Sequence, residues 1–145
     1  MCIRDRSYTQ NRITSDGDTA YSDRLRQRIH GLSFSYELDN WITRAEFLSI
    51  DRTADYGRDH AQLYAVGYRM GRFTPMLSYS NYRQTHKDAD LAEAHDTHSF
   101  VLRYDLTNTS AIKVQYDLWR DFSAPGFESM HGNSRLLTVG YDMVF

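Results

Sequence analysis

The chain ends in LLTVGYDMVF, residues 136–145, and every second residue of this stretch is apolar or aromatic. The intervening positions include small and polar residues such as Gly140 and Asp142. Because successive side chains of a β-strand point to opposite faces, this period of two predicts a strand with one apolar and one polar face. The apolar side of the predicted strand consists of Leu137, Val139, Tyr141, Met143 and Phe145.

The same alternation recurs six more times toward the N-terminus. Short turns at residues 39–40, 71–72 and 107–109 alternate with longer polar connections, and two- or three-residue turns of this chemistry join antiparallel strands. The predicted fold class is therefore all-β, an antiparallel up-and-down meander in which each strand pairs with its sequence neighbour. We predict seven strands of about ten residues, a length that crosses a bilayer at a tilt, over residues 29–39, 41–51, 60–70, 73–82, 97–106, 110–119 and 135–145.

Composition excludes several classes of protein. The 145 residues carry 17 basic and 19 acidic side chains, a balance unlike that of a basic nucleic-acid platform or an acidic tail. The single cysteine at position 2 excludes an internal disulfide. No stretch approaches the roughly 18 consecutive apolar residues of a membrane-spanning helix, whereas strands that are polar at every second position are compatible with a transmembrane β-barrel.

The terminal stretch resembles the C-terminal signal of Gram-negative outer-membrane proteins, in which a final Phe follows alternating apolar or aromatic residues. Three hairpin sequences resemble those of Gram-negative porins: DNWITRAEF at 39–47, VGYRMGRFTP at 66–75 and AIKVQYD at 111–117. The resemblance covers residues 28–145. Porins of this kind usually have sixteen strands, and single-chain bacterial barrels have even strand numbers, so we expect these residues to be the C-terminal part of a larger barrel.

The resemblance also implies partners and a location. We expect an outer-membrane protein surrounded by outer-membrane lipid and lipopolysaccharide, trimeric in its full-length form, with its signal peptide in a preceding segment. The barrel assembly machinery would recognise Leu137, Val139, Tyr141, Met143 and Phe145 as the assembly signal. Aromatic residues near the short turns are expected to form a girdle at one membrane interface; they are Tyr36, Trp41, Tyr68, Phe73, Tyr104, Tyr141 and Phe145.

With the apolar side against lipid, the opposite side of the strands would line a water-filled lumen for small hydrophilic solutes and ions. Neighbouring strands are expected to place Arg103 and Asp105 beside Lys113 and Asp117. The predicted pore-lining residues are Glu37, Arg44, Glu46, Arg69, Arg103, Asp105, Lys113, Gln115, Asp117 and Asp142.

Other functions remain open at this point: an outer-membrane barrel enzyme, an adhesin or receptor, or a soluble β-barrel binding protein. The loop at 83–96 is rich in His and acidic residues, but its spacing matches no compact metal motif, and we expect a solvated loop. No nucleophile motif, nucleotide loop or nucleic-acid patch is recognisable. We therefore predict a protein that is not an enzyme and uses no cofactor, metal or nucleic acid.

The N-terminal residues do not share the alternation. Residues 1–6, MCIRDR, resemble translated sequencing-adapter sequence and are predicted to be an artefact. Residues 7–28 are predicted to be a polar extracellular loop, and residues 29–145 the barrel portion. We expect residues 1–18 to be poorly ordered and to pack on nothing.

Overall fold

The computed structural model describes residues 2–13, 25–52, 57–124 and 132–144. These residues form a single antiparallel sheet in which the strands follow chain order. A 3-10 turn at Ala89–Leu91 lies between the fifth and sixth strands. The strands are β1 (Cys2–Ile13), β2 (Leu25–Leu38), β3 (Trp41–Arg52), β4 (Arg58–Tyr68), β5 (Phe73–Thr85), β6 (Ala94–Asp105), β7 (Ser110–Asp121) and β8 (Ser134–Met143).

The predicted all-β meander is confirmed, because the seven predicted strands are β2 to β8 and each pairs with its sequence neighbour. The sheet is open: within the described chain, β1 and β8 are edges that each pair on one side alone. Several strands are longer than predicted, as at the start of β2 and the end of β5. Backbone pairing continues there through polar residues, where the apolar alternation that marks a strand in sequence has ended.

Strand β1 differs from the sequence-based expectation. Residues 2–13, which we predicted to be unordered, pair with β2 along their whole length, from Cys2 opposite Tyr36 to Ile13 opposite Leu25. The predicted loop over 7–28 is likewise wrong for residues 7–13 and 25–28, which lie in strands; residues 14–24 lie outside the described residues. The physical reason is that the outer edge of β2 offers backbone donors and acceptors, and backbone pairing requires no apolar alternation. The interpretation of residues 1–6 as an artefact stays a prediction.

The short turns lie at one end of the sheet, which we call the turn end; the opposite end is the loop end. At the turn between β2 and β3, Asp39 has a positive φ of 51°, and Gly71 between β4 and β5 has a φ of 61°. Such left-handed conformations match the twist of hairpin strands. Between β6 and β7, the hydroxyls of Thr107 and Ser110 are 2.7 Å apart. The predicted tight turns are therefore all present.

Strand register gathers the predicted apolar residues on one side of the sheet, because directly opposite residues of antiparallel strands share a face. One row runs without interruption from Tyr36 on β2 to Leu137 on β8, through Thr43, Val66, Leu77, Phe100 and Tyr116. We call this side the apolar face. Its large residues are Leu32, Phe34, Tyr36, Leu38, Trp41, Phe47, Tyr64, Val66, Tyr68, Phe73, Leu77, Tyr79, Phe100, Leu102, Tyr104, Ile112, Val114, Tyr116, Leu118, Leu137, Val139, Tyr141 and Met143.

Nothing within the described chain covers the apolar face. Ala111 is the one buried hydrophobic residue of the described part, whereas Leu137 and Val139 are 65% and 68% exposed. A domain that is stable in water buries its apolar side chains between at least two layers of secondary structure. This sheet is a single layer, so its apolar side chains require another apolar phase or another layer.

Aromatic side chains of the apolar face meet across neighbouring strands at the turn end. The rings of Trp41 and Tyr68 are 4.9 Å apart, and those of Phe73 and Tyr104 are 4.7 Å apart. Tyr36 and Tyr141 lie on the same face, and Phe145 lies outside the described residues. In the described segments no helix combines the length and the apolar character needed to span a bilayer.

Candidate functional site

The polar face is the side of the sheet opposite the apolar face. In one of its rows, Arg44 of β3 is followed by Ala65, Ser78, Ser99 and finally Asp117 of β7. The strand register places all ten predicted pore-lining residues on this face or at its turn end. Their role as the lining of a pore stays a prediction, but their common location is a structural fact.

A charged cluster lies on this face at the turn end. Arg103 is directly opposite Lys113 in the register, and both cations contact Asp142: the Lys113 Nζ is 2.6 Å and the Arg103 Nη1 3.4 Å from its carboxylate. Arg103 Nε also donates to Asp105 at 2.7 Å. These side chains are about two-fifths exposed, so each pair contributes little stability, and the network mainly fixes where the charges lie.

Asp142 takes the place that the sequence interpretation assigned to Asp117. Asp117 lies opposite Ser99 and accepts both of its hydrogen bonds, at 2.9 Å, from Gln115 Nε2. Lys113 is four residues away along the same strand, about 13 Å at roughly 3.3 Å per residue. The expected position of Lys113 beside Arg103 is confirmed by the register. The expected position of Asp117 beside Arg103 is wrong, because Asp117 lies as far along the sheet from Arg103 as from Lys113. The carboxylates that contact Arg103 are Asp105 and Asp142.

The remaining predicted residues form two further ion pairs. Arg69 Nη2 lies 3.0 Å from Glu37, and these residues are 32 positions apart in the chain. Arg44 Nε donates to Glu46 at 2.8 Å, two residues along β3. Every predicted pore-lining residue thus has a polar contact with another member of the set.

A second cluster, at the loop end of the polar face, was missed by sequence reasoning. The rings of Tyr82 and His95 are 4.9 Å apart, and those of His95 and Trp119 are 3.8 Å apart. Arg52 Nη2 lies 2.6 Å from Asp59, whose side chain is 3% exposed. The sequence did contain a signal for this cluster. Tyr82 follows Ser80 by two residues and Trp119 follows Asp117 by two, so the alternation places both aromatic residues on the polar face.

A shallow groove of about 490 Å³ lies beside this second cluster. Small residues of the neighbouring strands, Gly31 and Ala61, leave room there. Its polar-face lining includes Ser33, Glu46, Ser80, Tyr82 and His95. The lining therefore combines hydroxyl, carboxylate and imidazole groups with apolar side chains such as Leu48 and Leu63.

We expect Asp59→Asn to destabilise the protein by about 3–5 kcal/mol, because it breaks a buried ion pair and leaves Arg52 without its partner. A urea titration of the folded protein measures the change. The matched control is Glu46→Gln, which removes the same charge from a pair whose arginine is 60% exposed and should cost about 0–1 kcal/mol. Equal losses in the two variants would contradict the prediction.

The apolar face is charged at its loop end. Arg83 lies 2.7 Å from Asp96 and 5.6 Å from the ring of Phe122, and Arg58 pairs with Asp51. We call five arginines at this end of the face the arginine belt; they are Arg28, Arg58, Arg83, Arg120 and Arg135. In the described part of the chain, the other three arginines of the belt have no ion pair.

The loop at 83–96 folds back on itself. Asp88 accepts a hydrogen bond from the Asp90 backbone at 3.2 Å and caps the 3-10 turn, while residues 87–90 are exposed. Across residues 2–13, 25–52, 57–124 and 132–144 no three His, Cys, Asp or Glu side chains are grouped so that they could hold a metal ion. Asp88 serves as a cap, whereas Glu93 lies 3.5 Å from His95 and Asp96 pairs with Arg83. The expected solvated loop over 83–96 is wrong for residues 83–85 and 94–96, which lie in β5 and β6.

Fold and site together define a single-layer antiparallel sheet with one apolar and one ion-paired polar face. Comparisons with the known protein families, with curated proteins and with solved structures find no match for this chain. Its function must therefore be inferred from the two faces.

Proposed function

We propose that the chain forms part of the barrel of a Gram-negative outer-membrane porin, through which small hydrophilic solutes and ions diffuse. The observation that carries this proposal is the path of the apolar band, the part of the apolar face occupied by apolar and aromatic side chains, across the sheet. The band occupies four successive apolar-face positions on β2, residues 32–38, and four on the edge strand β8, residues 137–143.

The band runs diagonally across the hydrogen-bonded rows. The row through Leu32 and Phe47, apolar on β2 and β3, reaches Asp96 and Arg120 on β6 and β7. At the turn end, one row of apolar side chains begins at Phe73 on β5 and ends at Tyr141 on β8. This row has no counterpart on β2, because β2 ends before reaching it. A membrane cuts the tilted, staggered strands of a barrel along such a diagonal, whereas an apolar interface unrelated to a membrane has no need of this offset.

Further features support the proposal. The strands contain 10 to 14 residues, enough for the 9–11 or so that a tilted strand needs to cross a bilayer. Turns and loops are sorted to opposite ends of the sheet, as in outer-membrane barrels. The aromatic residues at the turn end, Tyr36, Trp41, Tyr68, Phe73, Tyr104 and Tyr141, then form the girdle of the periplasmic interface.

The proposal assigns a partner to each surface. Outer-membrane lipid covers the apolar band, and the arginine belt lies where lipopolysaccharide phosphates would be, which arginine binds in a forked geometry. The open edges of β1 and β8 pair with further strands of the full barrel, which assembles as a trimer. Solutes pass along the polar face, whose charges need water.

Planar-bilayer recordings of the barrel expressed from its complete reading frame test the proposal. We expect stepwise conductance that persists without any ligand. A correctly folded barrel without conductance would reject the porin function and favour the adhesin, receptor or enzyme alternatives. A protein that stays monomeric in water without detergent would favour the soluble binding protein.

Deleting Phe145 is expected to reduce the amount of assembled barrel in the outer membrane several-fold without changing the conductance of the barrels that do assemble. The deletion removes the last residue of the proposed assembly signal but no residue of the polar face. Heat-modifiable migration on gels measures assembly, and single-channel recording measures conductance. Phe145→Tyr, which keeps an aromatic terminus, is the matched control and should assemble normally; an equal defect in both variants, or none in the deletion, would contradict the assignment.

A further inference from the structure

We propose that the polar face favours the passage of cations over anions, and that Asp117 is the residue that contributes most to this preference. The inference rests on the proposed porin function and adds a direction of selectivity to it. It comes from the ion pairing of the polar face, where carboxylates outnumber cations.

Five of the six described cations of the polar face are held by a carboxylate on the same face; the sixth, Arg72, lies at the turn end opposite Asp105. The pairs are Arg44 with Glu46, Arg52 with Asp59, Arg69 with Glu37, Arg103 with Asp105 and Asp142, and Lys113 with Asp142. Asp117 and Asp121 lie on the same face in addition to these groups. At the ladder positions of β2 to β8 on this face, six cations, Arg72 included, therefore stand against seven carboxylates.

Asp117 is remote from every cation of this face. Its contact is the uncharged Gln115, and Ser99, Ser78 and Ala65 separate it from Arg44 in the same row. Four strand spacings of about 4.8 Å place the backbones of those two residues about 19 Å apart. This exceeds the Debye length of about 8–10 Å at physiological ionic strength, so Arg44 does not neutralise Asp117.

Three arginines for which no carboxylate partner is described, Arg28, Arg120 and Arg135, lie on the other face. The arginine belt holds five arginines, against Asp51 and Asp96 on that part of the apolar face. Positive charge is thus sorted toward the proposed lipid side, and the negative excess is left on the polar side. A permeating ion that approaches Asp117 meets a carboxylate whose field is not cancelled locally, and rings or patches of such carboxylates attract cations into pores.

Reversal potentials in a KCl gradient, measured on the full barrel in planar bilayers, test this inference. We expect a cation-selective wild type, and Asp117→Asn should lower its cation-to-anion permeability ratio by about two- to four-fold, the effect of one partly screened charge near the ion path. Asparagine preserves the shape of the side chain, and Asp117→Glu should retain the wild-type ratio. Asp51→Asn removes the same charge from the opposite face and should leave the ratio unchanged.

The outcomes separate the two levels of the proposal. A conducting barrel that prefers anions, or in which Asp117→Asn has no more effect than Asp51→Asn, overturns the cation preference and leaves the porin function standing. A folded barrel that does not conduct overturns the porin function and the cation preference together.

Discussion

The Val139→Arg substitution is expected to prevent stable insertion of the barrel into a bilayer. Val139 lies in the middle of the apolar stretch of β8 and is 68% exposed. An arginine at the midplane of the lipid-facing side of a barrel costs about 2–4 kcal/mol, which lowers the ratio of inserted to unfolded protein roughly 30- to 700-fold. A urea titration of the protein folded into lipid vesicles measures this loss.

The neighbouring position provides the control. Thr138 precedes Val139 in the same strand and lies opposite Gln115 on the polar face. Thr138→Arg adds the same side chain at the same depth, but on the side proposed to meet water, and should change stability by less than about 1 kcal/mol. If the arginine were harmless at Val139 and costly at Thr138, the apolar face would be in water and the lipid assignment would be wrong.

The local part of the fold was readable from the sequence, and the reason is physical. Residues 111–117 alternate strictly, so both the strand and the faces of its side chains follow from a period of two. The turn at Asp39 and Asn40 leaves room only for a hairpin, which fixes both the antiparallel direction and the register of β2 and β3. Where these two signals are absent, at the start of β2 (Leu25) and the end of β5 (Thr85), the predicted strands are too short.

Strand β1 could not have been predicted in this way. Its residues, such as Arg4, Arg6 and Gln10, show no apolar period. What places it in the sheet is the open backbone edge of β2, a property of the neighbouring strand. Such pairing becomes visible only when the partner's edge is already known.

Side-chain contacts between neighbouring strands could not be predicted from the sequence either, and this limited what could be predicted of the candidate site. The phase of the alternation placed Arg103, Lys113 and Asp142 on one face, but it carried no information about which carboxylate lies nearest to Lys113. The register of β7 with β8 decides this, because Lys113 lies opposite Gly140, two residues from Asp142 on the same face. The stack of His95 on Trp119 likewise depends on the register of β6 with β7.

The Arg103→Glu substitution should produce the largest change in ion selectivity. Arg103 contacts both Asp105 and Asp142, so the wild-type cluster of two cations and two carboxylates is neutral. The substitution leaves Lys113 as the single cation among three carboxylates. We expect the cation-to-anion permeability ratio to rise by about 3- to 10-fold at low salt, because two units of charge change beside the proposed ion path.

Arg135→Glu is the matched control for this experiment. Arg135 lies opposite Leu118 on the other face of the sheet, within the arginine belt, and the same charge reversal there should leave the ratio unchanged. The Arg103→Glu effect should also shrink in 1 M salt, where the Debye length falls to about 3 Å. Lys113→Glu should shift the ratio in the same direction, because it too removes a cation from Asp142. Equal shifts at Arg103 and Arg135 would mean that selectivity depends on the total charge of the protein. The proposal that ions pass along the polar face would then be wrong.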